Sequence, residues 1–196
     1  MSNIKRIKDM KIEDEINRYK GGLAKMISDS DFTKYFTDAK EKTMKYSELS
    51  NYNTIDELLS KPKDYRIILT ESKLNEGHWC CLTKNNNRYV WFDSYGVRPD
   101  GELALIPLII KKMLKEDKHY LSRLIKTIPK GSKFEYNKKA FQKLKDGINT
   151  CGRWVLAYLI LFHINYTLKE FQDFFKDNKE VSGKPYDLLV VDWITD

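Results

Sequence analysis

Apolar positions fall into two patterns along the chain. Between Tyr65 and Ser94 they form short β-rich runs, and from Cys151 onward they follow helical spacing. Tyr65–Thr70 (YRIILT) reads as a strand, and Gly77–Thr83 and Arg88–Ser94 read as two more, joined by Lys84, Asn85, Asn86 and Asn87. Asparagine tolerates left-handed backbone, so this joint predicts a tight hairpin turn centred on Asn85 and Asn86. Ser28–Tyr35 and Ser50–Ser60 read as short amphipathic helices, the second with Thr54 and Glu57 spaced as a capping box. Gly96 and Pro99 end the strand region; Leu103–Leu114 and His119–Ile125 then read as helices and Phe134–Tyr136 as a short strand. Cys151–His163 is apolar almost all round, which predicts a buried central helix capped by Asn149 or Thr150. Leu168–Phe175 reads as a further helix, and Pro185 suits the first turn of a last one ending near Trp193. The reading is one α+β domain over residues 1–196, with residues 1–50 as an N-terminal helical extension.

Composition narrows the function classes. The longest apolar run, Trp154 to Phe162, is far shorter than the roughly 20 residues of a spanning helix, so no membrane partner is expected. Residues 1–11 are polar and charged, so no export signal is expected there. Three cysteines, two of them adjacent, are too few for a disulfide framework and fit a reducing compartment. The net charge of +7 is unevenly spread: Ala104 to Lys145 holds twelve Lys/Arg against three Asp/Glu, a local +9 that leaves −2 for the rest. That segment reads either as a solvated lysine-rich face or as a docking surface for DNA or an acidic partner.

The candidate chemistry starts at Cys151. A cysteine in the first turn of a helix has its thiolate stabilised by the partial positive charge there. An ordinary packing cysteine would sit there equally well, so a partner is required. The hairpin supplies one: with Asn85 and Asn86 as the turn, opposed positions sum to 171, and His78 faces Asp93 on the same side of the sheet. A carboxylate can orient one imidazole nitrogen and leave the other for a thiol. A three-residue loop would instead place Ser94 opposite His78. Trp79 reads as core or as the wall of a slot beside the histidine. Cys80 and Cys81 alternate across their strand, so they cannot both join His78 on one metal, and no metal site is expected. His163 lies roughly 18 Å along the helix from Cys151 at 1.5 Å per residue, too far to be its base. His119 reads as a surface residue, and Asp100 and Glu102 as weaker alternative acids in the turn after Gly96.

Gly77-His78-Trp79, Trp91-Phe92-Asp93-Ser94-Tyr95-Gly96 and Thr150-Cys151-Gly152-Arg153-Trp154 resemble the three motif blocks of the adenain-like cysteine proteases. These include the adenovirus protease, relatives in virophages, Polinton elements and large DNA viruses, and more distantly the proteases of ubiquitin-like modifiers. The resemblance covers roughly residues 54–165, and the order His, Asp, Cys is permuted relative to papain-type enzymes. It implies an adenain-like fold: a small central mixed sheet whose hairpin carries His78 and Asp93, packed on the helix that opens with Cys151.

The same resemblance implies Cys151 as nucleophile, His78 as general base and then acid, and Asp93 as the group that orients the imidazole. The family's oxyanion glutamine falls on Gln142, nine residues upstream of Cys151 where six or seven are usual, so Asn149 or a backbone amide is an alternative. Gly152 and Trp79 become substrate-binding positions that favour small residues, often glycine, before the cut. The implied function is a monomeric viral or virophage maturation protease acting on capsid or other virion precursors, in the virion and in the host cytoplasm or virus factory. No cofactor is implied for the chemistry, although DNA or a peptide is an expected activator, with DNA on the 104–145 segment. The rivals are an isopeptidase for ubiquitin or a ubiquitin-like modifier, such as a bacterial effector, and a catalytically silent DNA- or protein-binding module.

Overall fold

Five strands form one mixed sheet in chain order: β1 (Thr43–Lys45), β2 (Lys63–Lys73), β3 (Glu76–Asn85), β4 (Arg88–Phe92) and β5 (Lys133–Tyr136). The outer pairs β1–β2 and β4–β5 are parallel, and the central pairs β2–β3 and β3–β4 are antiparallel hairpins. This computed structural model describes residue 14 and residues 16–194; the polar stretch over 1–11 lies outside the described residues. The helices are α1 (16–24), α2 (Asp29–Phe32), α3 (Ala39–Lys42), α4 (Ile55–Leu58), α5 (Leu108–Leu114), α6 (Tyr120–Ile125), α7 (Cys151–His163), α8 (Leu168–Ser182) and α9 (Tyr186–Trp193). Short 3-10 turns occupy Tyr46–Asn51 and Gly101–Leu105. The chain is an α+β domain.

Alternation along β3 divides the core in two. Trp79 and Cys81 join the cluster that holds α7 and α8, while Cys80 and Leu82 join a second cluster with Tyr46, Leu49, Leu103 and Leu121. Both faces of the sheet are therefore covered, which is why these strands read as apolar runs rather than as a clean alternation. The helix α7 carries the first cluster: Trp154 is fully buried among Phe141, Phe175 and Tyr186. The capping box of Thr54 and Glu57 opens α4, and a second one, Thr167 with Glu170, opens α8.

Three expectations are corrected. The described residues before 50, helical over α1, α2 and α3, are packed into the domain rather than appended to it: Ile27, Phe32 and Ala39 are buried in the core with Trp79 and Trp154, and β1 is an edge strand parallel to β2. The helix read over Ser50–Ser60 is a 3-10 turn followed by the single turn α4, and Ser28–Tyr35 shortens to α2. The hairpin turn is Asn86 and Asn87, not Asn85 and Asn86; Asn85 still pairs with Arg88, and Asn86 takes the positive φ of 54°. Opposed positions on β3 and β4 accordingly sum to 173.

Candidate active site

The helix α7 begins at Cys151, so the fold places this thiol in the first turn of a helix buried from Cys151 to Leu159. Thr150 precedes it, but its hydroxyl donates to Asp187 at 2.6 Å rather than capping the helix. The C-terminal end of α1 and the residue after it fix this end: Asn149 N donates to Leu23 O at 2.7 Å, Asn149 Nδ2 to Ala24 O at 2.8 Å and the buried Arg153 to Lys25 O at 2.9 Å.

The β3–β4 ladder stops at the pair Cys81 and Phe92, leaving His78 beyond its last rung. Continued, the register sets Tyr95 opposite His78 and Asp93 opposite Cys80, all on one face. His78 Nε2 nevertheless lies 2.9 Å from Asp93 Oδ1. A diagonal neighbour makes the bond that the sequence reading assigned to a direct one. Asp93 is fully buried, accepts the Tyr95 backbone N–H at 2.8 Å through the same oxygen, and has its carbonyl held by Asn137 Nδ2 at 2.6 Å. On its other side the imidazole stacks on Tyr95.

Charge couples these groups to Cys151. Burial raises the thiol, but contact with the His78 imidazole and the backbone N–H groups of Trp79 and Gly152 outweigh it, and Cys151 lies below the ordinary thiol range. Burial pulls His78 down, yet Glu102 when charged, the hydrogen bond to Asp93 and the Cys151 thiolate lift it above the ordinary imidazole range. Asp93 is held low, burial being more than offset by His78. These directions favour transfer of the Cys151 proton to His78, with the imidazolium steadied by a buried carboxylate. Cys80 and Cys81, by contrast, are pushed well up by burial and stay thiols.

A groove of about 460 Å³ opens at Cys151, lined among others by Met26, Ile27, Met44, Leu69, Trp79 and Asn149. Trp79 is a wall of it, fixed by a 2.8 Å bond from Nε1 to Ile27 O and by an edge contact with Phe32. Gly152 is not in the lining. A Cβ there would meet Ile27 Cβ at 2.4 Å, so its missing side chain admits Ile27 rather than substrate. Gln142 is buried, accepting from Ser94 Oγ at 2.8 Å and donating through Nε2 to Ile148 O at 3.1 Å. It braces the loop before Cys151 and borders a separate depression with Tyr95 and Phe141, whereas Asn149 lines the groove itself.

Other expected residues go elsewhere. Asp100 accepts from Tyr46 Oη at 2.6 Å and Ser122 N at 2.9 Å. His163 stacks on Phe36 at the end of α7, and His119 is exposed. Of the twelve cations of the 104–145 segment, Lys111 and Lys112 lie on α5, Arg123 on α6 and Lys133 on β5, the other eight fall in the connecting segments, and Arg123 is bonded to Leu49 O and Tyr52 O. Glu102 was legible only as an alternative acid; it is buried, 3.7 Å from His78 Nε2, and accepts the Cys80 thiol at 2.8 Å. Donor atoms of His78, Cys80, Asp93 and Glu102 thus lie within 4.8 Å of one another, a grouping that the alternation of Cys80 and Cys81 did not reveal.

No family model matches the chain. It is 40% identical over 138 residues to "Uncharacterized protein V9" of Sputnik virophage, a match covering 69% of this chain and 77% of that protein. The chain belongs to the family of that virophage protein. Virophage origin agrees with part of the sequence expectation, and no helix among the described residues is long and apolar enough to cross a membrane.

Proposed function

We propose that the protein is a cysteine peptidase of the adenain-like type. The observation that carries this reading is the bond from His78 Nε2 to buried Asp93 at 2.9 Å, which leaves Nδ1 for the Cys151 thiol at the head of α7, a thiol whose pKa the imidazole lowers. The groove beside Cys151 supports a polypeptide substrate in extended form, with apolar contacts from Met26, Met44, Leu69 and Trp79. A virophage relative supports a virion precursor as the substrate class rather than a host modifier.

In this reading the Cys151 thiolate attacks a peptide carbonyl, and the oxyanion is held by N–H groups of the first turn of α7, which have no acceptor within the helix. The His78 imidazolium then gives its proton to the departing amine. Water, deprotonated by the neutral imidazole, adds to the thioester, and collapse of that second intermediate frees the acid product and restores the thiolate with its imidazolium. Asp93 holds the ring through both transfers.

The test is cleavage of a peptide library and of co-expressed virion proteins, read by mass spectrometry, with wild-type protein and Cys151→Ala. Cuts made by the wild type and lost in the variant support the reading. Equal cuts in both, or none in either while free Cys151 remains intact, contradict it.

A further inference from the structure

Two buried carboxylate oxygens at the site have no donor. Asp93 uses Oδ1 for His78 and Tyr95 N, which leaves Oδ2 unpartnered. Glu102 uses Oε1 for the Cys80 thiol, which leaves Oε2 unpartnered. The two carboxyl groups approach within 4.8 Å. Facing acceptors of this kind repel when both are charged and bind strongly when one carries a proton. We propose that Glu102 is a positioning residue: its protonated carboxyl donates to the free oxygen of Asp93 and so fixes the carboxylate that holds His78.

The turn that delivers Glu102 is itself clamped, because Asp100 stands at its start with φ 63° and is bonded to Tyr46 and Ser122. The titratable groups around Glu102 are His78 and Cys80 from β3, Asp93 and Tyr95 from the segment after β4, and Cys151 across the histidine. On its own turn, Lys111 donates to Leu103 O. Burial pushes Glu102 up to about 8, helped by the Asp93 charge and opposed by His78. Below that pH Glu102 donates to Asp93. Above it, its carboxylate stands 3.7 Å from His78 Nε2 and makes the imidazolium keep its proton to higher pH.

The kcat part of the test rests on the peptidase reading. Glu102→Gln keeps a donor for Asp93 without the negative charge, and kcat at pH 6.5 stays within about threefold. Its alkaline limb shifts to lower pH by about half a unit or more. Glu102→Leu removes the donor and lowers kcat about tenfold or more, with KM within about twofold. An unmoved alkaline limb in Glu102→Gln, or unchanged kcat in a folded Glu102→Leu, overturns the proposal. Iodoacetamide alkylation of Cys151 reads the same limb without any peptide, as the upper inflection of rate against pH. If cleavage is absent and that inflection still moves in Glu102→Gln, the peptidase reading falls and the positioning stands. If the inflection stays, the positioning falls whatever the cleavage result.

Discussion

Tyr95 lies face to face with His78, ring centroids 4.2 Å apart and 13° from parallel, at the position to which the β3–β4 register extends. The stack closes one face of the imidazole and limits its rotation while Asp93 holds its edge. Tyr95→Phe keeps the ring and should retain kcat, whereas Tyr95→Ala should lower kcat about tenfold with little change in KM. Steady-state cleavage by the two variants checks this, and equal loss in both would show that the phenol hydroxyl matters instead.

Asp93 is the buried charge against which the imidazolium is stable. Asp93→Asn should reduce kcat/KM by about 100-fold or more, because the ring loses both its orientation and its counter-charge. The same substitution removes support from the thiolate, so the pH at which Cys151 becomes reactive should rise. Alkylation rates across pH give that shift directly.

The oxyanion donor separates two amides. Asn149 lines the groove with one Nδ2 hydrogen donated to Ala24 O, while Gln142 lies outside the groove lining and is turned to Ile148 O. Asn149→Ala should lower kcat on the order of 100-fold if its amide serves the oxyanion, with Gln142→Ala acting mainly through stability. Comparing kcat with the melting temperature for both variants decides between them, and a folded Gln142→Ala with the larger loss in kcat would restore the glutamine assignment.

Gly152 and Ile27 form a packing pair. Gly152→Ala should destabilise by about 1–3 kcal/mol through the clash at 2.4 Å. Combined with Ile27→Ala the two costs should be less than additive, since the smaller side chain makes room for the new methyl. Urea unfolding of the two singles and the double measures the coupling, and strict additivity would contradict the contact.

How much of this the chain revealed depends on parity and on length. The bounds of α7 were readable because its apolar run is unbroken from Trp154 to Phe162, and the site's cysteine opens the turn just before it. The hairpin turn was placed one residue early, yet His78 and Asp93 still share a face, because moving the turn by one residue changes the opposed sum by two and leaves the side-chain alternation intact. The strand β1 was unreadable: Thr43-Met44-Lys45 is three residues long, half-buried throughout, and held by its pairing to β2 rather than by any pattern of its own. Residues 23–28 were missed for a similar reason, since they act through backbone carbonyls that accept from Trp79, Asn149 and Arg153. Carbonyl acceptors leave no trace in residue type. Glu102 reaches His78 only because a left-handed Asp100 turns the chain back, which spacing alone does not encode.

The state of the Cys151 sulfur tests the account most directly. With its pKa lowered by His78 and by backbone N–H groups, the thiolate persists as pH falls through the free-thiol value of about 8.5 and is lost only further down. Iodoacetamide alkylation of the native protein, followed across pH and located by mass spectrometry, should modify Cys151 with an inflection below the free-thiol value and leave buried Cys80 and Cys81 untouched. A rate at Cys151 that falls about tenfold per pH unit below 8.5, or equal labelling of all three cysteines, would contradict the ion pair on which the proposed chemistry depends.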